Sequence, residues 1–231
     1  MKRTPSRAWA DLNARIEACT ACQRLVAHCR RIAREKRAAY RDCTYWGRPV
    51  ANLGEASARV LLVGLAPGAH GSNRTGRMFT GDASGEWLFR ALHRAGFANQ
   101  PRGVERGDGL VLLDCAITAV GHCAPPDNKP TPAEIAACRP FLEQAFDLVA
   151  ARVVVGLGGI AWREMFRSFR LRGWHAGPLP PFGHGEVVPL SADRWAVASY
   201  HPSRQNTNTG RLTEPMLDEV FAVARELAYR P

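Results

Sequence analysis

Val60-Leu-Leu-Val63 is a short unbroken apolar run, and it empties into Gly64-Leu-Ala-Pro-Gly-Ala-His-Gly-Ser-Asn-Arg-Thr-Gly-Arg-Met-Phe-Thr-Gly-Asp82, a long polar loop. Strands buried on both faces read as such runs. The same arrangement returns near the other end, where Ala196-Val-Ala-Ser-Tyr200 leads into His201-Pro-Ser-Arg-Gln-Asn-Thr-Asn-Thr-Gly-Arg-Leu212. Two more apolar runs, Leu110-Val-Leu-Leu113 and Val153-Val-Val155, lie between them. Four such runs predict a parallel sheet covered by helices.

The intervening segments read as those helices. Trp87, Leu88, Ala91, Leu92 and Ala95 recur at helical spacing, and Gly96 suits the end of that helix. Thr131-Pro-Ala-Glu134 is a capping box with proline at the first helical position. Pro140 predicts a break near Cys138, with a second helix running to about Val149. Gly159 to Phe169 predicts another helix. The last spans about Thr213 to Ala228, with Leu217, Val220, Phe221, Ala224 and Leu227 on one face. Alternating strands and helices imply an α/β sandwich with right-handed crossovers. In such sheets ligands bind beyond the carboxyl ends of the strands. Both polar loops leave carboxyl ends, which predicts that they converge on one cleft.

The two loops combine glycines, hydroxyls, amides and arginines, groups that bring backbone N–H donors and guanidinium forks to phosphates. The alternative is a pair of solvated connections. Loops longer than about a dozen residues are uncommon unless they are functional or disordered.

The 231 residues, 46% of them hydrophobic, suffice for one well-buried core, and no apolar run approaches a membrane span. The opening Met1-Lys-Arg-Thr-Pro-Ser-Arg-Ala is followed by no signal-peptide core. The expectation is a single soluble domain over 1–231, located in the cytoplasm. Thirty-one Lys and Arg against 21 Asp and Glu give +10, which favours a polyanionic partner. Arginines scattered outside the loops leave a purely compositional origin open.

Seven cysteines, an odd number without a secretory signal, point to metal or free thiols rather than disulfides. Cys19-Thr-Ala-Cys22 can grip one metal centre; Cys123 and Cys138 complete a set of four. The residues alone leave zinc, an iron–sulfur centre and ordinary core cysteines open.

Four features together resemble the family 5 (B-type) uracil-DNA glycosylases, the iron–sulfur branch of the uracil-DNA glycosylase superfamily. They are the loop Gly64 to Gly85, Cys123-Ala-Pro-Pro-Asp-Asn-Lys-Pro-Thr-Pro132, the loop His201 to Leu212, and the N-terminal C-x2-C. Tyr45-Trp-Gly-Arg-Pro-Val50 is also similar to the family's N-terminal region. The resemblance implies a three-layer α/β/α sandwich with a central four-stranded parallel sheet. It also implies a [4Fe–4S] cluster on Cys19, Cys22, Cys123 and Cys138, with Cys29, Cys43 and Cys115 structural.

Such an enzyme flips its nucleotide into a pocket to reach the glycosidic bond. Cleavage leaves negative charge on the departing base, to which the imidazole of His201 can donate. Asp82 is the carboxylate that can stabilise the cationic sugar and orient water. Asp82 or Ser84 can equally cap the following helix, and His201 can simply pin its loop. Gly64, Leu65, Ala66, Phe79 and Asn128 are the expected base-pocket residues, Phe79 by stacking unless it is a core residue. Ala66 stands where many relatives place a polar, water-holding residue, and Ala119 where the related iron–sulfur family has an asparagine. A permissive pocket that accepts uracil is expected, and the resemblance implies hypoxanthine, hydroxymethyluracil or ethenocytosine as further substrates. Arg74, Arg77, Ser203, Arg204, Gln205, Asn206 and Arg211 are expected on DNA, with Leu212 as an apolar wedge. The expected partner is uracil-containing DNA, double- or single-stranded, bound by a monomer. Two other classes are a non-catalytic iron–sulfur DNA-binding protein and a zinc phosphoesterase or nucleotide hydrolase. The sequence holds no GxxxxGK[ST] loop and no HExxH pair.

Overall fold

The computed structural model describes residues 7–191 and 193–230; residues 1–6, most of the stretch read above for a leader, lie outside them. Six strands form one sheet: β1 (Leu53–Gly54), β2 (Val60–Gly64), β3 (Cys115–Ala119), β4 (Val153–Leu157), β5 (Val187–Leu190) and β6 (Arg194–Ser199). Their order is β1-β3-β2-β4-β6-β5. The four central strands are parallel, with Val60 opposite both Cys115 and Val153. The outer two are antiparallel additions. The parallel quartet is as expected; the edges are not. β1 is only two residues long, and β5 contains Pro189, so neither carries a strand pattern.

Every residue of β2, β3 and β4 is buried. Side chains alternate between the two faces. Val60 and Leu62 enter one core with Phe89 and Leu92 of α4 (Ala83–Arg94) and Phe221 of α8 (Glu214–Tyr229). Leu61 and Val63 enter the other. There they meet Trp9 of α1 (Arg7–Glu17), Phe146 of α5 (Pro132–Leu148) and Trp162 of α6 (Gly159–Leu171). Among the described residues no helix is long and apolar enough to cross a membrane.

Two expectations fail. The strand read over Leu110–Leu113 lies instead at Cys115–Ala119. Leu110 and Leu112 are buried, but Val111 and Leu113 are 54% and 45% exposed, and only one bridge forms, Leu112 to Ala98. This is the alternation of a surface segment, not of a doubly covered strand. Second, Pro140 does not divide its helix: α5 is continuous from Pro132 to Leu148. An interior proline costs about 3 kcal/mol. The carbonyl it leaves without a donor belongs to Ala136, and both residues face solvent, where water can serve. Burial of Ile135, Leu142, Ala145 and Phe146 and the intact Thr131–Glu134 capping box offset the remainder.

Candidate active site

Loop one starts where β2 ends. The carbonyls of Gly64 and Leu65 accept from the N–H groups of Val120 and Gly121, so its first residues run beside the segment leaving β3. Loop one then makes a single helical turn, α3 (Ser72–Thr75), and returns to Asp82 at the head of α4. On that return Phe79 adopts a left-handed backbone, φ 51°. Such a conformation costs about 1–3 kcal/mol in a non-glycine residue and persists only when its surroundings enforce it. It turns the ring beneath the end of β2, where a Cβ on Gly64 would lie 3.1 Å away. The same ring faces His201 of loop two, with centroids 5.8 Å apart and a 30° tilt. The two loops therefore meet at the carboxyl ends of β2 and β6, as expected.

Asp82 is both a cap and more than a cap. Its Oδ1 accepts from Gly85 N–H at 3.0 Å, closing the first turn of α4. Its Oδ2 is turned toward Gly68 and Gly71, where added Cβ atoms would fall 2.8 Å and 1.9 Å from it. Burial pushes the carboxyl pKa up; the Gly85 and Ser84 N–H groups and the Arg204 charge pull it partly back. Serving the helix thus fixes one oxygen and leaves the other aimed into the loop.

His201 follows β6 directly. Its carbonyl accepts from Ser203 N–H and Asn206 Nδ2, both at 2.8 Å, while its ring hydrogen-bonds to none of the described residues. The imidazole therefore does not pin the loop; Asn206 does. Burial lowers the ring to about 4, so it is neutral at pH 7 with one N–H to donate. Gly158, with φ 98°, lets the end of β4 pass close: a Cβ there would lie 3.5 Å from that of His201. His184, absent from the sequence reading, holds the preceding residue. Its Nδ1 accepts from Tyr200 N–H, which leaves Nε2–H to donate to Met216 O.

The expected DNA contacts divide. Arg204 and Gln205, on the short α7 (Arg204–Asn208), and Arg211 are exposed, with the Arg211 guanidinium 4.6 Å above the Tyr200 ring. Ser203 is half-buried at the start of α7. Asn206 works internally on His201. Arg74 donates to His70 O and Gly81 O and lies 4.1 Å over Tyr40, closing loop one on itself. Arg77 is not a surface cation: its side chain is 9% exposed and makes a two-pronged pair with Asp108 at 2.8 and 2.7 Å, plus a bond to Thr80. Leu212 is fully buried in the core with Leu217 and Val220, so it is no wedge. Neither burial was legible locally, because Asp108 lies 31 residues from Arg77 and Leu212 follows a polar loop. Asn128 is exposed in a one-turn helix with φ 56°, and its side chain hydrogen-bonds to none of the described residues.

Cys19, Cys22, Cys123 and Cys138 line one small cavity. They come from the link after α1, the residue that caps the start of α2 (Gln23–Glu35), the segment after β3, and the middle of α5. Burial, with Cys19 and Cys22 adding their charge, pushes Cys138 up to about 12. Buried His122, on the same wall, binds Val50 O through Nδ1 and leaves Nε2 unpartnered. Among the described residues no three His, Cys, Asp or Glu side chains close around a point as one ion would require. Cys29 packs against Cys123 and Ala124, and Cys115 is buried in β3.

Comparison with known proteins supplies the context. The model of the uracil DNA glycosylase superfamily matches residues 51–225. The chain is 50% identical over 220 residues to a type-5 uracil-DNA glycosylase of Mycobacterium tuberculosis, covering 94% of this chain and 81% of that one. It is 49% identical over 214 residues to a type-5 uracil-DNA glycosylase of Thermus thermophilus, covering 92% and 95%. It is 37% identical over 161 residues to a type-4 uracil-DNA glycosylase of Pyrobaculum aerophilum, covering 69% and 74%.

Proposed function

The chain belongs to the uracil DNA glycosylase superfamily, and on that premise we propose that it is a monofunctional DNA repair glycosylase that excises uracil from DNA, leaving an abasic site. The observation that carries the site assignment is the meeting of the two loops at the carboxyl ends of β2 and β6: the Phe79 ring of loop one faces His201 of loop two, and Asp82 of loop one feels the charge of Arg204 of loop two. Phe79 offers a fixed ring on which a flipped base stacks, worth about 1–3 kcal/mol. The neutral His201 donates its N–H to the base as negative charge develops on it. Asp82, held by Gly85 on one oxygen, presents the other to the cationic sugar and to the attacking water. Water and sugar cation both need the carboxylate ionised, so its charge is functional although burial opposes it. Exposed Arg204, Gln205 and Arg211 take the flanking phosphates.

Ala66 sits beside the segment leaving β3 and supplies no side-chain donor to select a base. This supports acceptance of hypoxanthine, hydroxymethyluracil or ethenocytosine beside uracil. The four gathered thiols fit a [4Fe–4S] cluster. Four cysteines lining one cavity provide one thiolate for each iron of such a centre. Such a cluster would supply thiolate bonds tying the link between α1 and α2, the segment after β3 and α5 together.

The test is release of free uracil from a labelled oligonucleotide under single-turnover conditions. Binding without release would favour a non-catalytic DNA-binding protein, and phosphodiester cleavage would favour a phosphoesterase.

A further inference from the structure

Between Gln23 and Arg48 the chain holds eight Lys and Arg side chains and two carboxylates, so this short stretch carries +6 of the total +10. Part of that charge is neutralised internally: Arg24 pairs with Glu134, and Arg31 with Glu35. Arg30, Arg34, Arg37 and Arg41 are exposed and have no acidic partner among the described residues. Arg30 and Arg34 lie one helical turn apart, where like charges repel. Among the described residues no carboxylate pairs with either of them.

The presentation of these arginines is fixed. The inner face of α2, Leu25, Val26 and Cys29, is docked on Cys123 and Ala124. The segment after α2 is sewn to loop one. Trp46 N–H donates to Arg74 O, Gly47 N–H to Asn73 O, and the Tyr45 hydroxyl meets His70 Nδ1 at 3.0 Å. Tyr40 lies under the Arg74 guanidinium. Burial, then the charges of Arg37 and Arg74, lower His70, which places Arg37 beside the loop that carries Asp82. The segment that carries Arg37 and Arg41 is thus joined to loop one, the loop that ends at Asp82.

We propose that Arg30, Arg34, Arg37 and Arg41 form a second duplex-binding surface, which grips backbone phosphates on the side of the extruded nucleotide away from loop two. This rests on the glycosylase reading for its orientation, but its chemistry is phosphate recognition and can be measured apart from base release.

The experiment is the salt dependence of binding to a uracil-free duplex. Each phosphate contact contributes about 0.9 to the slope of log K against log salt. The double variant Arg34→Ala/Arg37→Ala should lose nearly two units of slope, whereas Arg34→Lys/Arg37→Lys should keep it. The control is Arg167→Ala/Arg170→Ala, which removes the same charge from exposed positions roughly 12 and 17 Å along α6 from its start beside Phe182. An unchanged slope in the first variant overturns the proposal. So does an equal loss in the control, which would make the effect one of net charge. Uracil release by the unmodified chain reports separately. Its absence, with the slope loss intact, would sink the glycosylase reading and leave the second surface standing.

Discussion

Gly71 leaves no room for a side chain against Asp82: a Cβ there would lie 1.9 Å from Oδ2. The backbone of Gly71, φ −99°, lies outside the left-handed region, and the missing space beside Oδ2 demands glycine. Gly71→Ala should therefore push the carboxylate aside while the fold persists. A displacement of about 1 Å at a reacting group can cost about 10²-fold in rate. Single-turnover release of uracil is the measurement, and a rate equal to wild type would show that Oδ2 has no part in the chemistry.

His201→Ala should slow single-turnover cleavage by about 10²–10³, the usual cost of losing one donor aimed at developing negative charge. DNA affinity should stay, because Asn206 and not the imidazole ties loop two together. Loss of affinity and thermal stability along with rate would mean that the ring is structural after all.

The pH profile follows from two buried groups. Asp82 must be ionised and its pKa is raised by burial, so the rate should climb with pH through an inflection above the ordinary carboxylate range. His201 gains a proton only near pH 4, so no second inflection should appear between about pH 6 and 8. Asp82→Asn should abolish the acid limb together with most of the rate. A wild-type inflection near the ordinary histidine value would contradict the neutral imidazole.

Arg77→Ala strands the Asp108 carboxylate, whose side chain is 12% exposed. Removing one partner of a buried pair costs about 3–5 kcal/mol. Burial alone would raise the Asp108 pKa, but Arg77 and the N–H groups of Leu110, Val104 and Glu105 outweigh it and hold it well below the carboxylate range. A depressed folded pKa stabilises above about 3.9, the unfolded value, and is lost as pH falls. The stability gap between variant and wild type should therefore narrow in acid. Urea titrations at several pH values test this. The salt slope for DNA should not move; if it falls by about one unit, Arg77 does reach phosphate.

Protein purified without oxygen should be brown, with iron and labile sulfide near about four each per chain. Cys123→Ala should lose the colour and Cys115→Ala should keep it. Stoichiometric zinc without iron would refute the cluster.

What the sequence made legible is what depends on neighbours in the chain. Val60–Val63, the Thr131–Glu134 box and the apolar face of α8 could be read directly. So could Phe79, Asp82 and His201 as candidates, from their place after strands. Cys115–Ala119 was hidden because cysteine, alanine and threonine make a weak apolar signal beside Leu110–Leu113. Relations across long separations stayed invisible. Arg77 and Leu212 looked like loop residues until Asp108 and the core claimed them. His184, Gly68 and Gly71 carry no motif; each matters only through a partner that folding brings near.

The two outer strands guard the protein against itself. An open sheet edge offers unpaired N–H and C=O groups to any passing strand. Here one rim ends in a two-residue strand, too short to template another, and the other carries Pro189, which has no N–H to give. Many copies crowded on one stretch of DNA would meet edge to edge without being able to knit into a shared sheet. Pro189→Val, which restores the donor and adds a β-branched side chain, should turn that harmless crowding into slow, concentration-dependent aggregation.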